Sequence, residues 1–130
     1  MTILVAYAPR PEGQSALEKG IEIAKRRQER LVVVNASPGG RQEDPSKADV
    51  QDVERVSNLL SASGVDAEFK QFVRGKSAVA EIEDLVQSLN VSLLVIGLRK
   101  RSSVGKFILG SVAQEILLTV PCPVLAVKAN

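Results

Sequence analysis

The sequence predicts an α/β protein: an open, five-stranded, mostly parallel sheet with helices on both faces. Two observations carry that expectation. Runs such as Ile3–Ala8 (ILVAYA), Leu31–Ala36 (LVVVNA) and Ser92–Ile96 (SLLVI) are short, β-branched and almost continuously apolar, as strands buried on both faces are. Between them lie longer segments whose apolar residues recur at helical intervals. Such alternation implies a parallel sheet between helical layers, and right-handed crossovers leave only a few doubly wound strand orders.

Each element has its own signal. The first strand, Ile3–Ala8, ends at Pro9. A helix follows over Ser15–Glu29, where Ser15 and Glu18 have capping-box spacing and Leu17, Ile21 and Ala24 share a face. Leu31–Ala36 is the second strand, and residues 37–46, rich in glycine, proline and charge, form a surface loop. A second helix runs from about Ser46 to Ser63 with Val50, Val53, Val56, Leu59 and Leu60 on one face, and Gly64 takes the left-handed position after it. Ala67–Val73 alternates in the manner of a half-exposed edge strand. Ser77 caps a third helix ending at Leu89, whose acids Glu81, Glu83 and Asp84 are assigned to a solvated face. Ser92–Ile96 is the fourth strand. Ser111 and Gln114 open a last helix, again with capping-box spacing; Pro121 stops it, and Val124–Val127 is the final strand. No repeat or composition break divides the chain, so residues 1–130 are expected to form one domain.

Composition removes whole classes of function. With no histidine, His-ligated metals, His general bases and Ser-His triads are excluded. Aromatic residues make up 3% of the chain and tryptophan is absent; base-stacking platforms for single strands need such rings. The net charge is +2, too small for a polyanion binder, so no nucleic-acid partner is expected. A single cysteine, Cys122, sits between Pro121 and Pro123, which rules out an intrachain disulfide and fits a reducing compartment. Met1–Ala8 reads as a strand without a basic leader, and no apolar run approaches ~20 residues. A cytoplasmic location without a membrane partner is the expectation.

In open α/β sheets, ligands sit beyond the carboxyl ends of the strands where the winding reverses. With strands one and four adjacent, that crevice is framed by Tyr7–Arg10, Asn35–Ala36 and Gly97 onward. The third segment, GLRKRSSVGKFILGS at 97–111, holds four of the chain's 17 basic residues. It is not a P-loop, because Lys100 and Phe107 stand where glycine and Ser/Thr are required. Nor do Gly97, Gly105 and Gly110 have dinucleotide-loop spacing. What remains is a helix start at Gly110-Ser111, whose free amides and hydroxyl suit an anion. Gly110 permits close approach to the backbone, and Arg99, Lys100, Arg101 and Lys106 supply positive charge. Ser111 either caps its helix, meets phosphate or does both. Tyr7 either packs at the rim or stacks on a base.

These residues carry a resemblance that spans essentially the whole chain. Gly97 with Gly110-Ser111 thirteen residues on, the ending VAQEILLTVPCPVLAVK, and the runs ILVAYA, LVVVNA and SLLVIG resemble the universal stress protein family. The resemblance implies strand order 3-2-1-4-5, commonly a homodimer, and ATP or AMP in the crevice, with or without Mg²⁺. By position, Ile96, Gly97 and the loop through Arg99, Lys100, Arg101, Ser102 and Ser103 would embrace ribose and phosphates, with Gly105 and Lys106 beyond. Gly110, Ser111 and Val112 would hold phosphates, and Ala36 with the strand end at Tyr7 and Ala8 would border adenine. Two positions depart from the family signature G-x2-G-x9-G-[ST] and its usual surroundings. Lys100 replaces the second glycine, and Ala8 replaces an aspartate after strand one.

The expected function is a stress-response regulatory module that binds ATP or AMP. It is not expected to be an enzyme beyond slow, incidental ATP hydrolysis, since 97–111 has no Asp, Glu or His. The alternative is a nucleotide-free dimer acting through protein contacts, favoured by Lys100 and Ala8. In either case Val124–Val127 is the edge expected to pair with a second copy.

Overall fold

The computed structural model describes residues 1–39, 44–101 and 106–129, with the backbone alone at Arg101. Strand β1 (Thr2–Ala6) lies at the centre, and helix α1 (Pro11–Arg27) carries the chain to β2 (Arg30–Ser37). Helix α2 (Val50–Ala62), strand β3 (Ala67–Val73), helix α3 (Ala78–Ser88) and strand β4 (Val91–Arg101) follow. A short β5 (Lys106–Ile108), helix α4 (Ser111–Thr119) and β6 (Val124–Lys128) complete the order. The parallel strands run β3-β2-β1-β4-β6, while β5 pairs antiparallel with the far end of β4. The expected order therefore holds with β6 as its fifth member. The sheet has six strands rather than five because of β5.

Strand periodicity divides the core in two. Ile3, Val5, Leu31, Val33, Leu93 and Val95 face one way, against Ala16 and Leu17 of α1 and Val56 and Leu60 of α2. Leu4, Val32, Val34, Leu94 and Ile96 face the other, against Val79, Ile82 and Val86 of α3 and Ile116 of α4. Alternate residues of one apolar run thus serve opposite layers, which is why the runs show no polar alternation.

Several helix starts differ from the sequence expectation. Helix α1 begins at Pro11, with Arg10 as an N-cap that makes no side-chain bond, and Ser15 is buried inside it. Proline at the first helical position costs no amide and presets φ. Helix α2 starts at Val50, capped by Asp49 through the amide of Asp52 at 2.8 Å; Val50 is 82% exposed and not on the apolar face. Gly64 has the expected left-handed conformation, φ 78°, and Ser77 caps α3 by accepting from the Ala80 amide at 3.1 Å. In α4, Gly110 is the N-cap and Ser111 the first helical residue, so the Ser111–Gln114 box does not form. Gln114 instead donates to the Leu109 carbonyl at 3.0 Å.

Two further corrections concern charge. Glu81 is 1% exposed, not solvated; its carboxylate accepts from both Nε and Nη2 of Arg74, at 2.8 and 2.7 Å. A bidentate pair of this geometry is what lets a carboxylate stay buried. Residues 97–101, expected as loop, continue β4: Gly97 and Leu98 pair with Val127 and Lys128 of β6, and Arg99, Lys100 and Arg101 pair with Ile108, Phe107 and Lys106. Charge does not prevent a strand whose side chains reach water, provided its backbone finds a pairing partner.

The first turn of α1 rests directly on the strand ends. A Cβ at Gly13 would lie 1.9 Å from the Ala8 carbonyl oxygen, and one at Gly97 would lie 2.3 Å from the Glu12 carbonyl oxygen. Both neighbours are backbone and cannot rotate away. Gly13→Ala is therefore expected to cost about 3 kcal/mol through overpacking. Gly110→Ala, where a Cβ meets nothing within 4 Å, should cost about 1 kcal/mol or less; urea unfolding of the two variants checks the difference.

Candidate functional site

The carboxyl ends of β1, β2 and β4 open into a cavity of about 430 Å³, within the ~300–1,000 Å³ usual for small-molecule sites. Ala6, Tyr7 and Ala8 reach it from β1 and its end, Val34 and Ala36 from β2, and Ile96, Gly97 and Arg99 from β4. The first turns of three helices complete the wall: Glu12 and Gly13 of α1, Ala78 of α3 behind its cap Ser77, and Val112 and Ala113 of α4 behind its cap Gly110. Initial helical amides have no intrahelical partner and carry partial positive charge. Three such turns on one cavity make it receptive to an anion, while the alanines, Val34, Ile82 and Ile96 give it apolar walls.

Of the residues expected from the sequence, Tyr7, Ala8, Ala36, Ile96, Gly97, Arg99, Gly110 and Val112 line this cavity. Lys100 lies in an adjoining groove. Lys106 and Ser111 are exposed and outside the cavity lining. Ser102, Ser103, Gly105 and the Arg101 side chain lie outside the described residues. Gly97 has a role the sequence did not disclose: its missing Cβ makes room for the Glu12 backbone. Gly110 differs, because open space surrounds it.

The reading from sequence passed over Arg10, Glu12, Ser46 and Ser77, all of which line the cavity. Arg10 fell within a framing segment, and the same topological rule extends to the first turn of each following helix. Charge in the cavity comes from Arg10, Arg99 and Glu12.

Tyr7 is held by packing. It is 4% exposed, its ring meets Phe69 edge-on at 6.2 Å, and its hydroxyl donates to Asp52 Oδ2 at 2.7 Å. Arg55 Nη2 donates back to that hydroxyl at 2.9 Å. Of the two alternatives for Tyr7, the structure shows the packed one.

Asn35, also fully buried, organises the mouth. Its Nδ2 donates to the carbonyls of Tyr7 and Ser46, at 2.9 and 2.8 Å. Its Oδ1 accepts from the Ala48 amide at 2.9 Å and from Gln71 Nε2 at 3.0 Å. All the bonding capacity of the amide is used. One side chain thereby ties the end of β1, the segment before α2 and strand β3. Asp44 supports the same segment by accepting from the Ser46 amide and hydroxyl at 3.0 and 2.6 Å.

The pattern of the Universal stress protein family matches residues 1–128. The chain belongs to the universal stress protein family. A universal stress protein of Mycolicibacterium smegmatis is 47% identical over 128 residues, covering 98% of both chains. Among solved structures, a universal stress protein from Archaeoglobus fulgidus is 32% identical with a TM-score of 0.77, covering 98% of each chain. A second structure from that organism, a complex with dAMP, is 27% identical with a TM-score of 0.70 and the same coverage. Of the glycines at 97 and 110, one seats a helix and the other faces open space.

Two measurements test the site's framework. Asn35→Ala leaves the Ala48 amide and the Tyr7 and Ser46 carbonyls without their partner, and is expected to cost about 2–4 kcal/mol in urea unfolding. Burial, followed by the hydrogen bond to Asp52, pushes the Tyr7 hydroxyl up to about 12 from its ordinary 10.0. The folded state then holds this proton more tightly than the unfolded chain. Its contribution to stability is whole below pH 10 and is lost as pH rises through 12. Because the chain has one tyrosine and no tryptophan, ultraviolet titration of the native protein should give a single midpoint near 12.

Proposed function

We propose that this universal stress protein is a regulatory module that holds an adenine nucleotide in the cavity beyond β1 and β4. The observation that carries the reading is the convergence of three helix starts on a cavity with apolar walls, two arginines and open space at Gly110. The likeness to a dAMP complex supports the ligand class. Ala8, Ala36 and Ile96 form the apolar side suited to a base. Gly110, Val112 and Arg99 meet the phosphate. Glu12, the one carboxylate among the described lining residues, accepts from sugar hydroxyls in place of a carboxylate at Ala8.

The role we assign is binding without turnover in the cytoplasm, any ATP hydrolysis being slow. We assign a homodimer as well, paired through β6. This strand is an edge with Leu125 36% exposed, and Leu117 and Leu118 of α4 are exposed beside it in sequence. An unpaired apolar edge invites a second copy. The same apolar surface favours the second reading, a nucleotide-free dimer working through protein contacts.

Titration calorimetry with AMP and ATP separates the two. Binding is expected in the wild type and should be lost in Gly110→Val, whose side chain projects into the open space where a Cβ meets nothing within 4 Å. Circular dichroism melting should confirm that the variant is folded. Undiminished AMP affinity in a folded Gly110→Val protein would show that the phosphate lies elsewhere.

A further inference from the structure

Glu81 is the one buried carboxylate among the described residues, lying in the first turn of α3. Besides the two bonds it accepts from Arg74, its Oε1 stands 3.8 Å from Lys76 Nζ. Arg74 is held on a second side, with its guanidinium 4.5 Å over the centre of the Phe72 ring. Phe72 in turn packs against the core layer that α3 covers. The intervening turn is fixed as well: Gly75 has φ 76°, and its amide donates to the Pro38 carbonyl at 2.8 Å.

The residues bordering these contacts belong to the cavity. Pro38, Ser77, Ala78 and Ile82 all line it. For stability alone, an apolar side chain of similar volume would serve a buried position such as 81 as well as an ion pair, because desolvation offsets the attraction. What a bidentate pair adds is a fixed distance and direction between two backbones. Arg74 directly follows β3, and Glu81 lies in the first turn of α3, so fixing their separation fixes the start of the helix.

We infer that Arg74 and Glu81 are positioning residues for the nucleotide cavity. Together they staple the first turn of α3 to the end of β3 and hold Ser77, Ala78 and Ile82 as one rigid wall. Neither lines the cavity; both act through the wall they hold. The inference rests on the proposed nucleotide reading and deepens it, since the pair sets the shape of the site and not the charge its ligand meets.

The double variant Arg74→Met/Glu81→Leu removes the staple without leaving a buried charge unpaired. Circular dichroism should show it melting at or above the wild-type temperature. Titration calorimetry should nevertheless find AMP and adenosine each bound about tenfold more weakly, the scale of one lost contact. Adenosine carries no phosphate, so equal losses for the two ligands mark a displaced wall. Arg74→Lys keeps a cation on Glu81 but offers one point of contact for two, and its affinities should lie between those of the wild type and the double variant. Glu68→Ala, which removes surface ion pairs with Arg30 and Lys70 at the amino end of the same strand, should leave both affinities unchanged. Wild-type affinity in either folded Arg74 variant, or a loss for AMP alone, overturns the positioning role and leaves the nucleotide reading standing. Failure of both ligands to bind the wild type overturns both.

Discussion

The site depends on a contact between backbones. Helix α1 sits with its first turn on the ends of β1 and β4, the Glu12 carbonyl lying over Gly97 and the Ala8 carbonyl against Gly13. Side chains at either glycine would lift the helix away from the sheet. Because the seat is closed, Arg10 and Glu12 are delivered to the wall of the cavity. Placement of α1 and shape of the cavity are thus one event, decided by the absence of two Cβ atoms.

The opposite rim is held by hydrogen bonds. Parallel strands end in connections that carry many polar backbone groups, and those groups must be satisfied wherever water is excluded. Asn35 meets that demand for three segments at once, and Gln71 adds a bond to the Ala48 carbonyl at 2.8 Å. The Tyr7–Asp52–Arg55 contacts then join α2 to the strand end. A cavity in this position needs a rigid seat on one side and a satisfied loop on the other.

Legibility from the sequence followed the range of the forces involved. Five of the six strands and all four helices were evident, because buried runs and helical periods are local patterns that the core rewards on both faces. Gly64 and the Ser77 cap were legible for the same reason. The first turns of α1 and α4 were not. Ser15 and Ser111 have capping-box spacing, but Pro11 and Gly110 mark the actual starts, and the winner is set by where each helix meets the sheet. Glu81 misled because its partner, Arg74, lies before the helix that carries it. Strand β5 was missed because charged residues favour loops locally, while pairing with β4 satisfies the backbone regardless.

For the site, eight of the expected residues came together, since strand ends and helix starts meet wherever a doubly wound sheet reverses. The reading misjudged the parts played by individual members. The sequence alone determined the α/β class, the order of elements and the end of the sheet at which the cavity opens. Only the tertiary structure decided that Gly97 seats a helix, that Glu12 and Arg10 share the cavity wall, and that Lys100 faces a separate groove. Those outcomes depend on which backbone passes within van der Waals distance of which, and no local pattern in the chain encodes such distances.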